Sequence, residues 1–528
     1  MSYSKRGIFA HAILSAAISF ALAGCGSDSQ SSAPAPEAGK PAAPKNIIVM
    51  INDGASYGTW DMAAYWEAGV KANDLPIFKD MNVRLGMTTY PLNTEKNPTN
   101  NDVSTVGYDA ALAWDFTQGE ALKQDGYEST IAAYKYLRRA YTDSAAAGTA
   151  MATGTKTYNQ AIGHNNMGQP MTNITQIAHS RNWATGVVTS VQVSHATPSA
   201  FSAHSPSRYD MTGLAKDQMT NGYVDLLIGT GHPEYDNNGI RVAGLSQEEC
   251  AALACNWWDV ENPESTIGAT EWQALTQGTL MRSGYDKPNF LVTRKADFEA
   301  MAEGQLPEGL QAGQPLVGIP EVRSTLQQGR NKAAVGSDGI QPSGMKLIQG
   351  VPDLATLSIG ALNYLASRDK DGIFLMIEGG ATDWAAHAND TGTLIEEAYD
   401  FHKAVAAVKS WVEKNSSWDE TLLIVTTDHG NALPLHPDSA FQPFAPMNNA
   451  GAGNVPLDDT DVRYWSTQHT NELARLWAKG NGTDAFADLV KGADYSFAKV
   501  VGHNDTGYYV DNTDIFNIAK TLLTKQGE

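Results

Sequence analysis

Continuous runs of apolar residues, each ending in a polar or charged residue, are the main pattern along the chain. The first run covers residues 46–51 and leads into Asp53, and further runs cover residues 185–190, 373–378 and 421–427. Runs of this kind are typical of strands that are buried on both faces of a parallel sheet. In open α/β sheets, ligands bind at the carboxyl ends of such strands. We therefore expect the polar residues that follow the runs to form a site.

Segments with helical character alternate with these runs, as expected for an α/β fold with a mostly parallel sheet. Helices are predicted over residues 174–183, from about 353 to 366 and from about 393 to 414, and residues 511–514 are expected to cap a last helix. Residues 60–140 show no strong periodicity, and we assign no chemistry to them.

Between about residues 233 and 345 the alternation weakens, while glycine, proline, glutamine and tryptophan become more frequent. We interpret this segment as an insertion into one domain of residues 46–528. Strands within or beside it are predicted over residues 225–229, 289–293 and 315–319. The insertion could cover a site or form an oligomer interface, and the sequence does not separate these two roles.

The N-terminus has the layout of a secretory signal. Two basic residues precede an apolar run over residues 7–23, which is short for a membrane span. The tetrapeptide Leu-Ala-Gly-Cys25 follows and resembles a bacterial lipobox, in which the cysteine becomes the lipidated first residue. We predict a lipoprotein-type signal peptide over residues 1–24 and a flexible tether over 25–45, rich in serine, alanine, proline and glycine. The alternative is an ordinary signal peptide cut nearby.

These features predict an exported protein, either periplasmic or anchored to the outer membrane of a bacterium through Cys25. Two further cysteines, Cys250 and Cys255, are five residues apart. A local disulfide between them fits an exported chain. A zinc site there is the less favoured alternative, because no third thiol is available.

Composition narrows the possible functions. The chain has 528 residues, of which 42% are hydrophobic and 18% are charged, as in globular proteins. Its 37 basic and 58 acidic residues give a net charge of −21, which disfavours nucleic acid as a partner. An anion-binding site in such a protein needs local positive charge, and metal ions are the obvious source.

A segment of small residues carries a candidate nucleophile. In residues 141–156, Ser144 is followed by three alanines, which favour a helix that begins near this serine. Backbone N–H groups at a helix N-terminus attract anions. The alternative is that Thr142, Asp143 and Ser144 only cap the helix.

Candidate metal ligands and one candidate phosphate-binding cation lie near the predicted strand ends. Asp383 and His387 are four residues apart, so one face of a helical turn presents both to a metal ion. Taken alone, each candidate has a structural alternative: a helix cap, a turn residue or, for the guanidinium of Arg208, a surface cation rather than a phosphate clamp. Together the carboxylates and imidazoles suffice for two or three divalent ions, and such ions would relieve the repulsion between the acids. The ligand candidates are Asp53, Glu378, Asp383, His387, Asp428, His429 and His469.

In its motifs the chain resembles the alkaline phosphatase family. The motifs occur in the family's order: Asp-Gly at 53, Thr-Asp-Ser-Ala-Ala from 142, His-Ala-Thr-Pro from 195, Glu-Gly-(x)3-Asp-(x)3-His from 378, Asp-His at 428 and His-Thr at 469. The resemblance implies a three-layer α/β sandwich with a mostly parallel central sheet flanked by helices. His195 together with Trp384 resembles the marine bacterial members that have a large insertion.

The resemblance also implies a cofactor set of two zinc ions and one magnesium ion. Asp383, His387 and His469 would hold one zinc, and Asp53, Asp428 and His429 would hold the second zinc, which also meets Ser144. Asp53, Thr197 and Glu378 would hold magnesium, with His195 contacting this third metal directly or through water. Arg208 would clamp the phosphate, Trp465 would contact the substrate, and two copies would form a homodimer.

The implied activity is hydrolysis of small phosphate monoesters at alkaline pH through a phosphoserine at Ser144. Paired metal ions would favour deprotonation of the serine and stabilise the leaving oxygen. A phosphodiesterase or a sulfatase on a related core is an alternative, although Ser144 lacks the Cys/Ser-x-Pro-x-Arg pattern of sulfatases. A non-catalytic surface lipoprotein that binds phosphate or metal is a second alternative.

Overall fold

The continuous apolar runs form strands at the centre of one large sheet. The computed structural model describes residues 44–119, 131–263, 265–435, 462–501 and 507–524, so the predicted signal peptide and Cys25 lie outside the described residues. The strands, numbered along the chain, are β1 (Asn46–Asn52), β2 (Val83–Thr88), β3 (Ala184–Gln192), β4 (Leu226–Thr230), β5 (Phe290–Val292), β6 (Leu316–Gly318), β7 (Ile373–Gly379), β8 (Thr421–Thr426), β9 (Gly430–Asn431), β10 (Pro434–Leu435), β11 (Arg463–Tyr464), β12 (His469–Thr470), β13 (Ala474–Gly480), β14 (Gly492–Ala493) and β15 (Tyr508–Asp511).

Within the described residues, eleven strands form the large sheet in the order β14-β15-β2-β13-β8-β1-β7-β3-β4-β6-β5. The pairs from β8 to β5 are parallel, whereas β13 is antiparallel to both of its neighbours. The predicted parallel sheet is therefore confirmed. In its register, Ile51 lies beside Glu378 on one side and beside Thr426 on the other.

Helices connect these strands. They are α1 (Tyr57–Ala68), α2 (Pro76–Lys79), α3 (Ala110–Ala113), α4 (Ala133–Leu137), α5 (Ser144–Thr153), α6 (Ile174–Ser180), α7 (Ala196–Ser202), α8 (Met211–Thr220), α9 (Gln247–Ala252), α10 (Trp257–Glu261), α11 (Ala269–Thr276), α12 (Lys295–Ala302), α13 (Lys332–Val335), α14 (Leu354–Ala366), α15 (Ala381–His387), α16 (Thr391–Asn415), α17 (Tyr495–Val501) and α18 (Thr513–Thr524). Among the helices of the described residues, none combines the length and the apolar character needed to cross a membrane.

The two faces of the sheet carry separate hydrophobic cores. Alternate residues of a strand point to opposite faces, and β1 shows this directly. Ile48 and Met50 belong to the core that contains residues of α1, α12, α14 and α16, whereas Val49 and Ile51 belong to the core that contains residues of α5, α6, α7 and α18. Because helices pack on both faces, the fold is the predicted three-layer α/β sandwich.

Several elements differ from the prediction. Helix α1 and strand β2 occupy part of the segment to which no element was assigned, and α6 ends at Ser180, three residues early. Helix α7 begins at Ala196 with His195 at its N-cap and Pro198 in its first turn.

In the segment interpreted as an insertion, β5 and β6 pair in parallel with each other and extend the sheet beyond β4. The predicted disulfide between Cys250 and Cys255 is present, with their Cα atoms 5.1 Å apart. The segment therefore contributes to the sheet and carries a covalent link at α9. Its role as an insertion stays a prediction.

Candidate active site and metal centre

Four adjacent strands bring the predicted ligands together. In the order β8-β1-β7-β3, each strand carries ligand-type residues at or just beyond its carboxyl end. Asp428 follows β8, Asp53 follows β1, Glu378 is the next-to-last residue of β7, and His195 follows β3. Parallel pairing places these ends at one edge of the sheet, where the hydrophobic pattern predicted a site.

Ser144 is the first residue of α5 and is almost fully buried, at 1% exposure. The helix cap is its neighbour Asp143, whose Oδ1 accepts a hydrogen bond of 3.0 Å from the backbone N–H of Ala146. The serine hydroxyl is thus not used as the cap. Its Oγ lies 3.1 Å from Nε2 of His429 and 3.5 Å from Oδ1 of Asp53.

Asp383, His387 and His469 converge as predicted. The first two lie on α15, one turn apart, and His469 begins β12. Nε2 of His387 lies 3.4 Å from Oδ2 of Asp383 and 3.1 Å from Nε2 of His469. The Nδ1 atoms of both imidazoles face backbone carbonyl oxygens, of Thr467 at 2.7 Å and of Thr142 at 2.8 Å. These contacts point both Nε2 atoms at the carboxylate, as in metal-binding histidines.

A second group contains Asp53, Asp428 and His429. Nε2 of His429 is 3.1 Å from Oδ2 of Asp428 and 3.6 Å from Oδ1 of Asp53. Oδ1 of Asp428 accepts hydrogen bonds from the backbone N–H groups of Gly54 at 3.0 Å and of His429 at 2.9 Å. Gly54 has a φ of +69°, and a Cβ there would lie 2.5 Å from Oδ1 of Asp383. The loop after β1 therefore requires glycine at this position.

The third group lies around Glu378. The hydroxyl of Thr189, on the adjacent strand β3, donates to Oε2 of Glu378. Oγ1 of Thr197 lies 3.5 Å from Oδ2 of Asp53, and the guanidinium of Arg208 approaches Nε2 of His195 at 3.4 Å. The residues predicted for a third metal site are thus neighbours.

Within the described residues, three groups of side chains place their ligand atoms within 4.8 Å of one another. They are Asp383 with His429 and His469, Asp53 with Asp428 and His429, and Asp53 with His195 and Glu378. The second group is the set predicted for one zinc ion, and the third includes His195 together with two predicted magnesium ligands.

Several buried polar atoms of the site have no hydrogen-bond partner among the described residues. They are Oε1 of Glu378, Nδ1 of His195 and Nδ1 of His429. Leaving such atoms unsatisfied is costly, and bound cations would satisfy the carboxylate oxygens. Hard carboxylate and borderline imidazole donors in one place fit zinc and magnesium ions.

In the protein without ions, the pKa values of the buried acids and imidazoles are shifted, and bound cations would compensate the charges of the acids. Burial, together with Asp428, Asp383 and Glu378, raises the pKa of Asp53 well above its usual range. Burial is also the main reason that the pKa of Glu378 rises to about 8. Burial and the nearby Arg208 lower the pKa of His195 to about 3, which keeps this imidazole neutral. Burial alone would raise the pKa of Asp383 too, but His469 and His387 hold it well below its usual range.

A series of hydrogen-bonded buried residues, Asn431, Ser56 and Glu472, holds Asp383 in place, and these residues were not predicted from the sequence. Nδ2 of Asn431 donates to Oδ1 of Asp383 at 2.7 Å. The hydroxyl of Ser56 contacts the backbone of Asn431, donating to its carbonyl at 2.8 Å and accepting from its N–H at 3.0 Å, and it also contacts the carboxyl of Glu472. Burial raises the pKa of Glu472 to about 7. The one available signal was that Asn431 directly follows the Asp-His-Gly motif.

Ser144 faces a cleft of about 720 Å³, which we call the serine cleft. Arg208 lies in its wall, where Nη1 donates to Oδ2 of Asp143 at 3.1 Å. Burial lowers and Asp143 raises the pKa of Arg208, which stays charged. The described lining residues are Thr94, Lys96, Arg138, Arg139, Tyr141, Asp143, Ser144, Asn159, Gln160, His195, Arg208, Tyr209, Asp383, Trp384, His387, Gln468 and His469.

Trp465 is not among the described residues that line this cleft. It is 5% exposed and packs in a hydrophobic cluster with Tyr134 and Leu137, under the guanidinium of Arg463 at 4.3 Å. The predicted contact between Trp465 and substrate therefore has no support in this geometry.

The fold and the site together define an α/β protein with a serine at a helix N-terminus and a buried cluster of metal-type ligands. A profile of the family described as alkaline phosphatase matches residues 114–236 and 325–522. The chain belongs to the alkaline phosphatase family, as its motifs predicted.

Individual relatives agree with this assignment. Alkaline phosphatase 4 of Bacillus subtilis is 30% identical over 375 residues, which are 68% of this chain and 66% of the relative. Alkaline phosphatase 3 of the same organism is 26% identical, covering 79% of this chain and 68% of the relative. These matches thus span about two thirds of each relative's length. The solved alkaline phosphatase of the Antarctic bacterium TAB5 shares the fold, with a TM-score of 0.52 at 20% identity, and the match covers 92% of this chain and 99% of that one.

Proposed function

We propose that this chain hydrolyses phosphate monoesters to an alcohol and inorganic phosphate at alkaline pH, through a phosphoserine at Ser144. The observation that carries the proposal is the position of the Ser144 hydroxyl. It lies at a helix N-terminus, 3.1 Å from His429 and 3.5 Å from Asp53, within a cluster of ligands whose charges are not compensated by the described residues. Such a hydroxyl can attack phosphorus, and the helix N-terminus favours the anion.

The donor set fits two zinc ions and one magnesium ion. Asp383, His387 and His469 would hold one zinc, and Asp53, Asp428 and His429 would hold the other zinc beside Ser144. Glu378, Thr197 and Asp53 would hold magnesium, with His195 at the same place. When bound, the ions supply positive charge that lowers the pKa of the serine hydroxyl and of water and stabilises the oxygens around phosphorus.

The residues of the chain then act as follows. Asp143 holds the guanidinium of Arg208, which binds two non-bridging oxygens of the substrate phosphate. Oγ of Ser144 forms a bond to phosphorus while the bond from phosphorus to the alcohol oxygen breaks, and the alcohol takes up a proton. Water then attacks the phosphoserine and releases phosphate and free Ser144. The N–H groups of the first turn of α5 and Arg208 stabilise the charge on the phosphoryl oxygens in both steps.

We also infer that the chain is exported, lipidated at Cys25 and active as a homodimer. The apolar run followed by Leu-Ala-Gly-Cys25 supports export and lipidation, and family membership supports the dimer. Mass spectrometry of the mature N-terminus would show a diacylglyceryl cysteine at position 25, and an unmodified start beyond this position would refute lipidation.

Light scattering would test the dimer, and a monomer at micromolar protein concentration would contradict it.

The catalytic proposal is tested by comparing three esters with one preparation of the protein. We expect a phosphate monoester to be hydrolysed much faster than a phosphate diester or a sulfate ester at pH 9. Chelation should abolish this activity, and added zinc and magnesium should restore it. A preference for the diester or the sulfate ester would overturn the choice of reaction, and full activity in metal-free protein would overturn the metal assignment.

A further inference from the structure

Among the described residues, three cations line the serine cleft in addition to Arg208. They are Lys96, Arg138 and Arg139, from the segment before α3 and the end of α4. Arg138 is held in place, because Nη1 donates to the hydroxyl of Tyr134 at 2.9 Å. Lys96 and Arg139 are exposed. In a chain with a net charge of −21, this concentration of positive charge around one cleft is unusual.

The carboxylates of the cleft do not neutralise these cations. The described lining contains two acids, Asp143 and Asp383, and both have other partners. Asp143 pairs with Arg208 and caps α5, whereas Asp383 faces His387 and His469. Among the described residues, neither Lys96 nor Arg139 has an ion-pair partner, although both belong to an acidic protein. Their charge is therefore available to a ligand in the cleft.

A simple monoester does not need these cations. Its single phosphate is served by Arg208, by the N-terminus of α5 and by the ions that the buried ligands would hold. Additional cations in the wall of the cleft would attract a leaving group that is itself negatively charged. Without them, the net negative charge of the protein would repel such a leaving group. Aromatic side chains also line the cleft, with Trp384 beside His195 and Tyr141 beside His469, and they offer flat surfaces to the organic part of a substrate.

We propose that the serine cleft selects phosphoanhydride substrates, in which the group that leaves from the terminal phosphorus carries a second phosphate, with Lys96 and Arg139 binding that second phosphate. A nucleoside diphosphate is the chemical class that fits. In this reaction Oγ of Ser144 bonds to the terminal phosphorus, the bond from that phosphorus to the bridging oxygen breaks, and the nucleoside monophosphate leaves with that oxygen. Water then hydrolyses the phosphoserine. This selectivity rests on the proposed phosphatase function.

ADP and AMP are the matched pair of substrates for a test. They differ by one phosphate, and AMP has no charge on its leaving adenosine. Initial rates are measured with metal-loaded protein by chromatography, as AMP formed from ADP and as adenosine formed from AMP. The test variant is the double substitution Lys96→Ala and Arg139→Ala. The control is the double substitution Arg181→Ala and Lys332→Ala, which removes two exposed cations outside the described lining of the cleft.

We expect the test variant to lose about fivefold in kcat/KM for ADP and less than twofold for AMP, as two exposed charge contacts would provide. The control should change neither value by more than about twofold, because it removes the same charge at positions outside the described lining of the cleft. The advantage of ADP should also shrink as salt rises, since salt screens exposed charges. An equal loss for both substrates, or no loss for ADP, would overturn the selectivity. If the unmodified protein hydrolyses neither substrate, the phosphatase function itself fails, and the two failures are thereby distinguished.

Discussion

The two ends of helix α5 face two clefts of similar size that differ in how far the buried charges near them are compensated. At its N-terminus Ser144 faces the serine cleft of about 720 Å³. Beyond its C-terminus, Gly154 turns the chain with a φ of +70°, and Lys156 enters a second cleft of about 660 Å³, which we call the lysine cleft. The described residues that line the lysine cleft are Thr88, Tyr90, Leu92, Asp102, Tyr108, Gly154, Thr155, Lys156, Lys491, Tyr509, Asp511 and Thr513.

In the lysine cleft the buried charges are matched within the protein. Nζ of Lys156 lies 3.0 Å from Oδ2 of Asp511 and 2.7 Å from Oδ1 of Asn512, and it stands 4.1 Å from the centre of the Tyr90 ring. Asp511 in turn accepts from the hydroxyl of Thr88 at 2.7 Å. Next to the serine cleft, by contrast, the buried carboxyls of Asp53, Glu378 and Asp428 lie together, and among the described residues Oε1 of Glu378 has no hydrogen-bond partner. Uncompensated charge, rather than cavity volume, therefore distinguishes the candidate active site.

The largest effect is expected from Ser144→Ala. Removing the nucleophile should lower the phosphatase kcat by about 10³-fold or more. The ligand side chains remain, so zinc and magnesium content, measured by elemental analysis, should stay close to that of the unmodified protein. Ser180→Ala is a suitable control, because the Ser180 hydroxyl is exposed and donates to its own helix. Near-normal turnover in Ser144→Ala would show that Ser144 is not the nucleophile, and the N-terminal end of α5 would then have no special role.

A smaller effect is expected from Asn431→Ala. This change removes the donor at 2.7 Å from Asp383 and should weaken the ion held by that carboxylate about 10- to 100-fold, as losses of supporting hydrogen bonds do. Zinc affinity can be measured by competition with a chromophoric chelator. Asn517→Ala serves as control, since Asn517 lies at the surface of α18. Unchanged zinc affinity would show that Asn431 does not position Asp383.

The uncompensated acids also predict a pH dependence of metal binding. In the metal-free protein the pKa of Glu378 is raised to about 8, so its carboxyl group is neutral below that pH. Under the proposed assignment magnesium would bind the carboxylate and would have to displace the proton, so its affinity should fall about tenfold for each pH unit below 8 and level off above it. Calorimetry between pH 6 and 9 measures this slope. In Glu378→Gln the slope should become shallower, and a flat profile in the unmodified protein would contradict the proton competition.

The smallest effect on catalysis is expected in the lysine cleft. Lys156→Met breaks the pair with Asp511 and should lower the free energy of unfolding by about 2 kcal/mol, because the hydroxyl of Thr88 still satisfies part of that carboxylate. Denaturant unfolding measures this loss. The kcat for a phosphate monoester should stay within about twofold, since the N-terminal end of α5 with Ser144 is unchanged. A large drop in kcat at unchanged metal content would show that the lysine cleft has a catalytic role.

Much of the sheet could be predicted because its central strands are buried on both faces and so read as unbroken apolar runs. Helix α1 could not, because its residues from Tyr57 to Trp66 are all buried and leave no polar face to set a helical period. Strand β13 was hidden for a related reason. It carries Arg475, which is buried against Asp61 and therefore looks like a surface residue in the sequence.

The candidate metal ligands could be recognised in the sequence, whereas the residues that hydrogen-bond to them could not. The four-residue spacing of Asp383 and His387 indicates that both lie on one face of a helical turn, where they can share a metal ion. Thr189, in contrast, lies 189 residues from Glu378 along the chain, and Asn431 lies 48 residues from Asp383. No local pattern connects such partners, because the sheet brings them together. The same applies to Lys96 and Arg139, whose position in the lining of the serine cleft depends on how irregular segments pack.

The hydrogen bond from Gly54 to Asp428 joins residues 374 positions apart, which has a consequence for the order of events during folding. Contacts of such long range form late and slowly. The unfolded chain holds only scattered carboxylates and imidazoles, so it offers metal ions no assembled site. Metal ions would therefore bind almost entirely to the finished fold and stabilise it by mass action. Metal ions that bind after folding would then raise the free energy of unfolding of a sheet whose long-range contacts form late.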